Sequence, residues 1–509
     1  MSLSDTFEGS VRAHPDKIAL RFEGAARTYR DLGARVGKLA GGLVSLGVQP
    51  GDHVAMISAN HPACIELLLA CAQVGAVYEP YNIRLSPLTI KQLLARSGSG
   101  VVVVSSDLYP ALRSLLAEVG HPVRIVAVGT LEAEAGVLDY EQLVATAEPY
   151  AGRARTAPSD TSLLLYTSGT TGMPRGVLHS HGAFMKRIDI DRRAMAFEED
   201  CVTLCVLPLF HVTFMSAIIT LLVGGELVMV NSRKEDDLLA AVTGFGVTHL
   251  CVVPFLLRLL AARVQRDGVL VNTLRLVVYG GEPVDDELLA CCQKLFACEF
   301  LQGYGMTETL GAVTMLLPEH HQDASHLLMA GTPVPGVEVN VVDDRGIECP
   351  SGTEGEVVVK TETLMTGYLC DEERTSQVIR DGWYLTGDIG MLDEQGFLTL
   401  IDRKSNMIIT GGENVYPLEV ERCIRAIGDD VVDVAVVGVP DAYWGELIAA
   451  FVVRRPGSSL TEAEVGAHCA RQLGGYKKPR RVSFVDGLGR SASGKVPKAV
   501  LDRLINRTN

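Results

Sequence analysis

The segment YTSGTTGMPRGV at residues 166–177 places four Ser and Thr hydroxyls, three glycines and one arginine within twelve residues. Hydroxyls donate hydrogen bonds, glycines let backbone N–H groups approach a ligand without a Cβ in the way, and arginine adds a fixed positive charge. Apolar runs at residues 163–166 and 177–178 predict a short strand on each side. The pattern therefore indicates a phosphate-gripping loop between two strands.

The loop has two other interpretations. The Walker pattern G-x-x-x-x-G-K-[ST] is absent, because Pro174 and Val177 stand where its second glycine would fall. The loop is therefore not that of an ordinary P-loop NTPase. A polar surface loop is the commoner meaning of a Gly, Ser and Thr cluster. The flanking apolar strands, and the arginine beside a proline, favour phosphate binding instead.

Size and charge limit the class of protein. At 509 residues the chain is too long for one ordinary core and should form several domains. A formal charge of −15 argues against a general nucleic-acid binder. From Arg403 to the C-terminus, however, 16 Lys and Arg face 12 Asp and Glu. A basic tail on an acidic body suits an anionic ligand held between them.

Cysteines and hydropathy indicate the compartment. The twelve cysteines include no C-x-x-C pattern, so we expect no metal or disulfide framework and a reducing cytoplasm. The N-terminus lacks a basic segment followed by an apolar core, which argues against a signal peptide. The most apolar run, residues 214–230, is short for a membrane span and is interrupted by Gly224 and Gly225. It predicts a buried helix, a turn and a strand.

The first part of the chain alternates strand-like and helical segments, which predicts α/β layers with parallel sheets. Predicted strands occupy residues 101–104, 204–207, 227–230, 249–253 and 276–279, and predicted helices occupy residues 63–74 and 234–242.

The pattern changes near residue 337 to short strands and turns. Predicted strands at 337–342 and 355–360, and turns at 343–346 and 393–396, indicate a small β subdomain. A further set of elements follows: helices at 417–426 and 461–473, and strands at 432–437 and 448–453. We therefore expect an N-terminal domain at 1–402, with its β subdomain at 337–402, and a mobile α+β C-terminal lid domain at 403–509.

Four further segments carry a resemblance. They are QGYGMTE at 302–308, YLTGD at 384–388, Asp402-Arg403 with GGEN at 411–414, and SGK at 493–495. Each is weak alone, but their order and spacing after the 166–177 loop resemble the adenylate-forming superfamily, which includes acyl- and aryl-CoA ligases, peptide-synthetase adenylation domains and firefly luciferase. The chain is closest in character to bacterial acyl-CoA and aryl-CoA ligases, over roughly residues 15–500.

The resemblance implies an ATP site. Residues expected to hold the β- and γ-phosphates are Thr167, Ser168, Gly169, Thr170, Thr171, Gly172 and Arg175. Residues expected along the adenine are Gly281, Glu282, Pro283 and Tyr304, the tyrosine stacking on the base. Asp388 would accept hydrogen bonds from the ribose hydroxyls, with Arg403 nearby. The superfamily usually has lysine at the position of Arg175, so the charge is kept but the shape of the cation differs.

The resemblance also implies the catalytic residues. Thr307 and Glu308 match positions that meet the α-phosphate and Mg²⁺, with Glu308 as the metal ligand. Lys495 would bridge the substrate carboxylate and the α-phosphate. The attacking carboxylate is already ionised, so no general base is needed and preorganised cations and donors suffice. Taken singly, each of these side chains would more often be a solvated surface group, and the ordered set of segments outweighs that alternative.

The second half-reaction is expected to use CoA. By resemblance, the lid would turn about Ser405 and bring the Gly411 and Gly412 strand to the active site. Residues expected to meet the CoA nucleotide are Trp444, Tyr476, Lys478 and Arg480, an aromatic and cationic set. A solvated basic turn is the alternative for residues 474–481, and the positive C-terminal part favours CoA.

By resemblance, the acid pocket is lined by residues 183–191, 210–214, 279–281 and 303–310. Apolar residues that favour an aromatic or medium-chain acid are Phe184, Met185, Phe214 and Leu310. His211 is expected to contact the substrate, to gate the CoA tunnel, or simply to pack against its neighbours. The sequence has no arginine beside His211, which argues against a short dicarboxylate as the substrate. Three charged residues of the 183–191 helix have no assigned role, and solvation is one option: Arg187, Asp189 and Asp191.

Three functions follow as expectations. The first is ATP-dependent activation of a carboxylic acid to an acyl-adenylate with release of pyrophosphate, then transfer to CoA to give an acyl- or aryl-CoA thioester and AMP. The second keeps adenylation but uses another acceptor, either a carrier protein or a diazotase-like activation of nitrite for an aromatic amine. The third is a nucleotide-binding regulatory protein without catalysis, against which Glu308, Asp388 and Lys495 argue. A cytoplasmic location and no transmembrane segment are expected, and a homodimer is one option for the assembly.

Overall fold

The computed structural model describes residues 2–132, 134–167, 173–232, 234–282, 284, 286–323, 325–410, 413–441, 443–473, 475–490 and 496–508. The chain forms two compact units: unit 1 comprises Met1–Glu338 and Lys360–Gly382, and unit 2 comprises Val339–Val359 and Trp383–Asn509. The strands expected in a β subdomain therefore fall largely in unit 2. The domain boundary at residues 402 and 403, and the mobility of the lid, stay predictions because compactness does not measure motion.

The strands are β1 Ile18–Phe22, β2 Ala25–Thr28, β3 His53–Ile57, β4 Val77–Pro80, β5 Val101–Ser105, β6 Arg124–Val128, β7 Val137–Asp139, β8 Thr161–Thr167, β9 Arg175–Ser180, β10 Val202–Cys205, β11 Glu226–Met229, β12 His249–Val252, β13 Leu276–Gly280, β14 Glu299–Met306, β15 Gly311–Leu316, β16 Thr332–Pro333, β17 Val337–Val342, β18 Gly355–Thr361, β19 Gly367–Tyr368, β20 Ile379–Arg380, β21 Trp383–Leu392, β22 Leu398–Arg403, β23 Ile408–Thr410, β24 Glu413–Val415, β25 Val431–Asp441, β26 Gly445–Arg454 and β27 Arg481–Phe484.

The α-helices are α1 Leu3–Ala13, α2 Tyr29–Ser45, α3 Pro62–Val74, α4 Pro87–Ser97, α5 Tyr109–Leu116, α6 Tyr140–Thr146, α7 His181–Ala194, α8 Phe214–Leu222, α9 Glu235–Gly244, α10 Pro254–Asp267, α11 Asp286–Leu295, α12 Glu372–Val378, α13 Pro417–Arg425, α14 Glu462–Leu473 and α15 Lys498–Thr508. Short 3₁₀ helices lie at Thr307–Thr309, Pro318–Gln322 and Lys404–Asn406.

Unit 1 contains two large sheets. The first has the order β16-β15-β14-β13-β12-β10-β11-β1-β2, and its strands from β14 to β1 are parallel. The second has the order β19-β9-β8-β4-β3-β5-β6-β7, in which β8 and β9 form an antiparallel hairpin. Helix α8 is buried along all nine residues, as expected for an apolar helix inside a layered core. The predicted α/β fold with parallel sheets is confirmed.

Most predicted elements agree with the structure within a few residues. The strand expected at 204–207 lies instead at Val202–Cys205. The Asn60 side chain explains this shift, since it donates to the Leu207 carbonyl at 2.9 Å and accepts from the Leu209 N–H at 2.9 Å. These backbone groups therefore turn away from the sheet.

The run at 214–230 forms a buried helix, a turn and a strand, as predicted. None of the helices in the described part of the chain has the length and apolarity to cross a membrane.

Unit 2 contains two smaller sheets. Strands β17, β18, β21 and β22 lie side by side in the first, with β21 antiparallel to both β18 and β22. The second has the order β24-β23-β26-β25, with β27 parallel to β26. Helices α13 and α14 pack on this second sheet through buried apolar residues such as Val420, Ile424 and Val465. The helices and strands predicted after residue 403 are therefore present.

Candidate active site

The β8–β9 hairpin carries the segment at 166–177, and its register places Thr167 opposite Arg175. Tyr166 anchors the hairpin, because its hydroxyl donates to Glu79 at 2.6 Å in a fully buried site. Tyr81 and Ser99 donate to the same carboxylate. Buried polar groups with satisfied hydrogen bonds are costly to displace, so the start of the loop is held firmly. Five of its predicted phosphate ligands lie outside the described residues: Ser168, Gly169, Thr170, Thr171 and Gly172.

Tyr368 brings two predicted site residues together. Its hydroxyl donates to the Glu308 carboxylate at 2.9 Å, and the Arg175 guanidinium carbon lies 5.9 Å from the centre of its ring. The Glu308 carbonyl also accepts from Met365 N–H at 2.8 Å. The predicted phosphate cation and the predicted metal ligand therefore share one aromatic neighbour. Sequence reasoning missed Tyr368, for which the only signal is a Gly-Tyr pair in strand β19 that pairs with β9.

His179 fixes the backbone of Thr307. Its Nε2 lies 2.7 Å from the Thr307 carbonyl oxygen, and a carbonyl only accepts, so Nε2 carries the proton. Burial lowers the pKa of His179 to about 4, which keeps the ring neutral. Strand β9 thus holds the segment that presents Thr307 and Glu308. Sequence reasoning missed this residue because a histidine inside an apolar strand resembles ordinary core.

The turn after Glu308 is tightly specified. Leu310 has a positive φ of 54°, and the Thr309 hydroxyl donates to the Gly311 carbonyl at 2.8 Å. Thr363 donates to the Thr309 carbonyl at 3.0 Å. At Gly305, a Cβ would lie 2.0 Å from the Gly311 carbonyl oxygen, so only glycine fits there. These contacts hold the segment around Thr307 and Glu308 in one conformation.

The predicted adenine residues lie on neighbouring strands. Gly281 follows β13 with a φ of 81°, and Tyr304 lies in β14, which pairs with β13 in parallel. The Glu282 carboxylate accepts from the Phe255 N–H at 2.6 Å and so caps the start of α10. Parallel strand ends meet at one edge of a sheet, where ligands bind in α/β folds. Pro283 lies outside the described residues.

Two aromatic rings form part of the predicted acid pocket. Phe184 of α7 packs edge-to-face on Phe214 of α8, with ring centres 5.8 Å apart. Both rings and Leu310 are buried. His211 lies just before α8, where its ring contacts Phe210 at 4.7 Å and its carbonyl accepts from the Phe214 N–H at 3.1 Å. These packing contacts explain the position of the His211 side chain. A role of His211 in substrate contact or in gating the CoA tunnel stays a prediction.

The helix α7 carries a buried ion pair. The solvation considered for Arg187 and Asp191 is wrong, because both side chains are buried and Arg187 donates to Asp191 one turn later. A residue four positions along a helix lies on the same face, and the two opposite charges make burial tolerable. Asp189 does face solvent, with 47% of its side chain exposed, and it pairs with Arg193.

Unit 2 holds the predicted ribose residues. The β21–β22 register places Asp388 opposite Arg403, and the Arg403 Nε lies 3.0 Å from the carboxylate. Asp388 is 6% exposed. This buried carboxylate keeps an orientation fixed by its ion pair. The structure therefore brings the Asp388 and Arg403 side chains together, while their contact with a ribose stays a prediction.

The predicted pivot Ser405 lies in the 3₁₀ helix Lys404–Asn406. Next to it, Lys404 pairs with Glu356 at 3.0 Å and with Asp344 at 3.2 Å. The hydrogen bond to Glu356 is the largest cause that raises the pKa of Lys404. Gly411, Gly412 and Lys495 lie outside the described residues.

The predicted CoA residues are partly assembled within unit 2. The Arg480 guanidinium carbon lies 3.6 Å from the centre of the Trp444 ring, a cation–π contact. Trp444 follows the tip of the β25–β26 hairpin, where Asp441 accepts its N–H at 2.9 Å. Tyr476 is exposed, and Lys477 beside it pairs with Glu419 at 2.6 Å. The structure thus joins Trp444 to Arg480, and the contribution of Tyr476 and Lys478 stays a prediction.

Comparisons with known proteins show what the chain is similar to. Residues 7–369 match the family described as AMP-binding enzyme, and residues 419–495 match the AMP-binding enzyme C-terminal domain. A feruloyl-CoA synthase of Amycolatopsis sp is 36% identical over 97% of each chain. The fatty acid–[acyl-carrier-protein] ligase ScoC of Streptomyces coeruleorubidus is 32% identical over 97% of this chain and 95% of its own. The crystal structure of ATP-bound MatB from Rhodopseudomonas palustris is 29% identical, with a TM-score of 0.89 and full coverage of both chains.

Proposed function

This chain belongs to the family of AMP-binding enzymes, and we propose that it joins an aromatic carboxylic acid to CoA in two steps. In the first step the acid displaces pyrophosphate from ATP and forms an acyl-adenylate. In the second step the CoA thiol displaces AMP and forms a thioester. The thiol needs no dedicated base, because a mixed anhydride is a highly activated acyl donor.

The first step brings two anions together, so its main requirement is fixed positive charge and hydrogen-bond donors. The β8–β9 hairpin with Arg175 would hold the β- and γ-phosphates of the leaving pyrophosphate. Thr307 would donate to the α-phosphate, and Lys495 would contact both the attacking carboxylate and that phosphate. The observation that carries this proposal is the position of Tyr368, whose ring lies near Arg175 and whose hydroxyl donates to Glu308.

Magnesium is proposed to bind at Glu308. The described part of the chain contains no group of three or more His, Cys, Asp or Glu side chains that could hold a metal ion. A single carboxylate suits Mg²⁺, which in nucleotide sites takes most of its ligands from phosphate oxygens and water. Tyr368 would orient the carboxylate through its hydrogen bond. The ion, when bound, neutralises charge on the phosphates.

The choice of an aromatic acid rests on two observations. Phe184 and Phe214 supply buried aromatic surface at the predicted pocket, and a relative with 36% identity is a feruloyl-CoA synthase. The choice of CoA rests on the exposed Arg480–Trp444 contact and on the positive C-terminal part of the chain. We place the reaction in the cytoplasm, where ATP and CoA are supplied, and keep a homodimer as a prediction for sedimentation analysis.

A substrate panel tests the proposal. Benzoic, cinnamic and C2 to C16 aliphatic acids would be assayed for pyrophosphate release with and without CoA. We expect CoA-dependent turnover that is faster with aromatic than with aliphatic acids. Turnover that does not respond to CoA on any acid would favour another acceptor, such as a carrier protein. Release of pyrophosphate from no acid would contradict the activity itself.

A further inference from the structure

A polar cluster lies inside the apolar core of unit 1. Arg187 has no exposed surface, and it donates to the Ala312 carbonyl and to the Asp191 carboxylate. Asp191 in turn lies near Cys251 of β12, and Cys251 interacts with Ser216 of α8. The cluster therefore joins α7, α8, β12 and β15 at one buried place.

One donor of this cluster is unused. Among the described residues, the buried Nε–H of Arg187 has no hydrogen-bond partner. An unpaired buried donor costs free energy, so such a group calls for an explanation. The charge of Arg187 is already balanced by Asp191, and the free group is therefore a directed N–H donor within a neutral pair.

The residue beside the Arg187 side chain is a glycine, Gly311, which has no Cβ. Gly311 has a φ of 136°, which favours glycine, and a Cβ there would lie 3.1 Å from Cδ and 3.4 Å from Nε of Arg187. Any other residue would crowd the guanidinium group. The glycine at position 311 thus leaves the space beside Cδ and Nε of Arg187 clear of a side chain.

The cluster lies on the two helices that carry the predicted aromatic walls of the acid pocket. Arg187 lies one turn after Phe184 on α7, and Ser216 lies two residues after Phe214 on α8. Gly311 directly follows Leu310, which is fully buried. The aromatic walls and the polar cluster therefore share both helices.

We propose that the Nε–H of Arg187 donates a hydrogen bond to an uncharged oxygen substituent, a hydroxyl or methoxy group, on the ring of the aromatic acid. This inference rests on the proposed function and specifies its substrate class. A second carboxylate is disfavoured, because Asp191 already balances the arginine and the added charge would be buried without a partner. In this role Arg187 determines specificity and takes no part in bond making.

The competing explanation is structural: Arg187 would only fasten α7 to β15 through the Ala312 carbonyl. The structural role and the specificity role of Arg187 predict different effects of its substitution on different acids. A fastening residue affects all acids alike, whereas a specificity residue affects only acids that carry the ring oxygen.

The wild-type enzyme gives the first test. Cinnamic, 4-hydroxycinnamic, 4-methoxycinnamic and 4-carboxycinnamic acids would be compared by kcat/KM for pyrophosphate release. We expect a preference of about tenfold for the hydroxy or methoxy acid over cinnamic acid, the size of one net hydrogen bond. We also expect 4-carboxycinnamic acid to be the poorest. Equal rates with cinnamic and both oxygenated acids would overturn the inference, whereas no turnover with any acid would instead contradict the proposed function.

Substitutions give the second test. Arg187→Met should lower the ratio of kcat/KM for the oxygenated acid to kcat/KM for cinnamic acid from about tenfold to about one, whatever activity remains after loss of the pair with Asp191. Arg187→Lys keeps a charge opposite Asp191 but lacks the Nε–H, so it serves if the methionine variant does not fold. Arg193→Met is the matched control, because Arg193 forms the same i,i+4 pair with Asp189 at 3.0 Å on the exposed face of α7. An equal loss with both acids, or a preference retained in Arg187→Lys, would overturn the proposal.

Discussion

Two aromatic contacts, one in each unit, differ in burial and in their consequences. Tyr368 of unit 1 is 6% exposed and donates to Glu308 beneath Arg175. Trp444 of unit 2 is half-buried and stacks with the exposed Arg480, next to Tyr443, which is 82% exposed. Buried polar contacts fix geometry, while exposed stacking leaves faces free for a ligand. We therefore expect changes in unit 1 to affect adenylation and folding together, and changes at Trp444 and Arg480 to affect only the CoA step.

The largest expected effect concerns Lys495, which would be an exception to the assignment of adenylation to unit 1. Lys495 belongs to unit 2 by sequence but is expected to act in adenylation. Lys495→Ala should lower acyl-adenylate formation by about a thousandfold, because a charge-stabilising contact of the transition state is lost. It should largely spare thioester formation from supplied acyl-adenylate. Both half-reactions would be timed separately by quenched flow.

Arg455→Ala is the control for Lys495. Arg455 is half exposed in the same unit and pairs with Asp429 at 2.9 Å. It should change neither half-reaction. Equal loss of both half-reactions in Lys495→Ala would contradict its assignment to the first step.

The second prediction concerns pH and unit 1. His179 titrates near 6.5 when unfolded, whereas burial lowers its pKa to about 4 in the folded protein. A lowered folded-state pKa gives stability that is present above pH 6.5 and is lost as pH falls towards 4. Between pH 7 and pH 5 the loss should be about 2 kcal/mol, as estimated from this linkage.

His179→Gln keeps an N–H donor for the Thr307 carbonyl and removes the titration. Urea unfolding at pH 7 and pH 5 should therefore show a smaller acid loss in the variant than in the wild type. An unchanged acid loss would mean that His179 is not the titrating group. Four other histidines with pKa values lowered by burial would account for what acid sensitivity remains: His61, His181, His249 and His321.

The third prediction removes only the hydroxyl of Tyr368. Tyr368→Phe keeps the ring beneath Arg175 but frees the Glu308 carboxylate, and adenylation should fall by about tenfold, the size of one hydrogen bond to a charged group. The loss should be partly recovered at high Mg²⁺ concentration. Tyr109→Phe, which removes a similar bond to Glu134 at 3.1 Å elsewhere in unit 1, is the matched control. A loss of the same size in the control would indicate general destabilisation.

The sequence predicted the α/β layers and the ordered site segments because both rest on local patterns. Hydropathy periods identify strands and helices, and the glycine-rich segments must keep their residue types wherever the chain folds. It did not predict Tyr368, His179 or the burial of Arg187, because each depends on contacts between segments that lie far apart in the chain. Tyr368, for example, reaches Glu308 only because β19 pairs with β9.

The smallest expected effect sharpens the comparison at the exposed contact. Arg480→Ala removes the cation over Trp444, and we expect the KM for CoA to rise by about fivefold, as for one exposed cation–π or phosphate contact. Acyl-adenylate formation should stay at the wild-type rate. Arg454→Ala is the control, since Arg454 lies 3.9 Å from the Phe484 ring in the same unit. A slower first step in Arg480→Ala would show that the exposed contact also serves adenylation, and the division between the two contacts would fail.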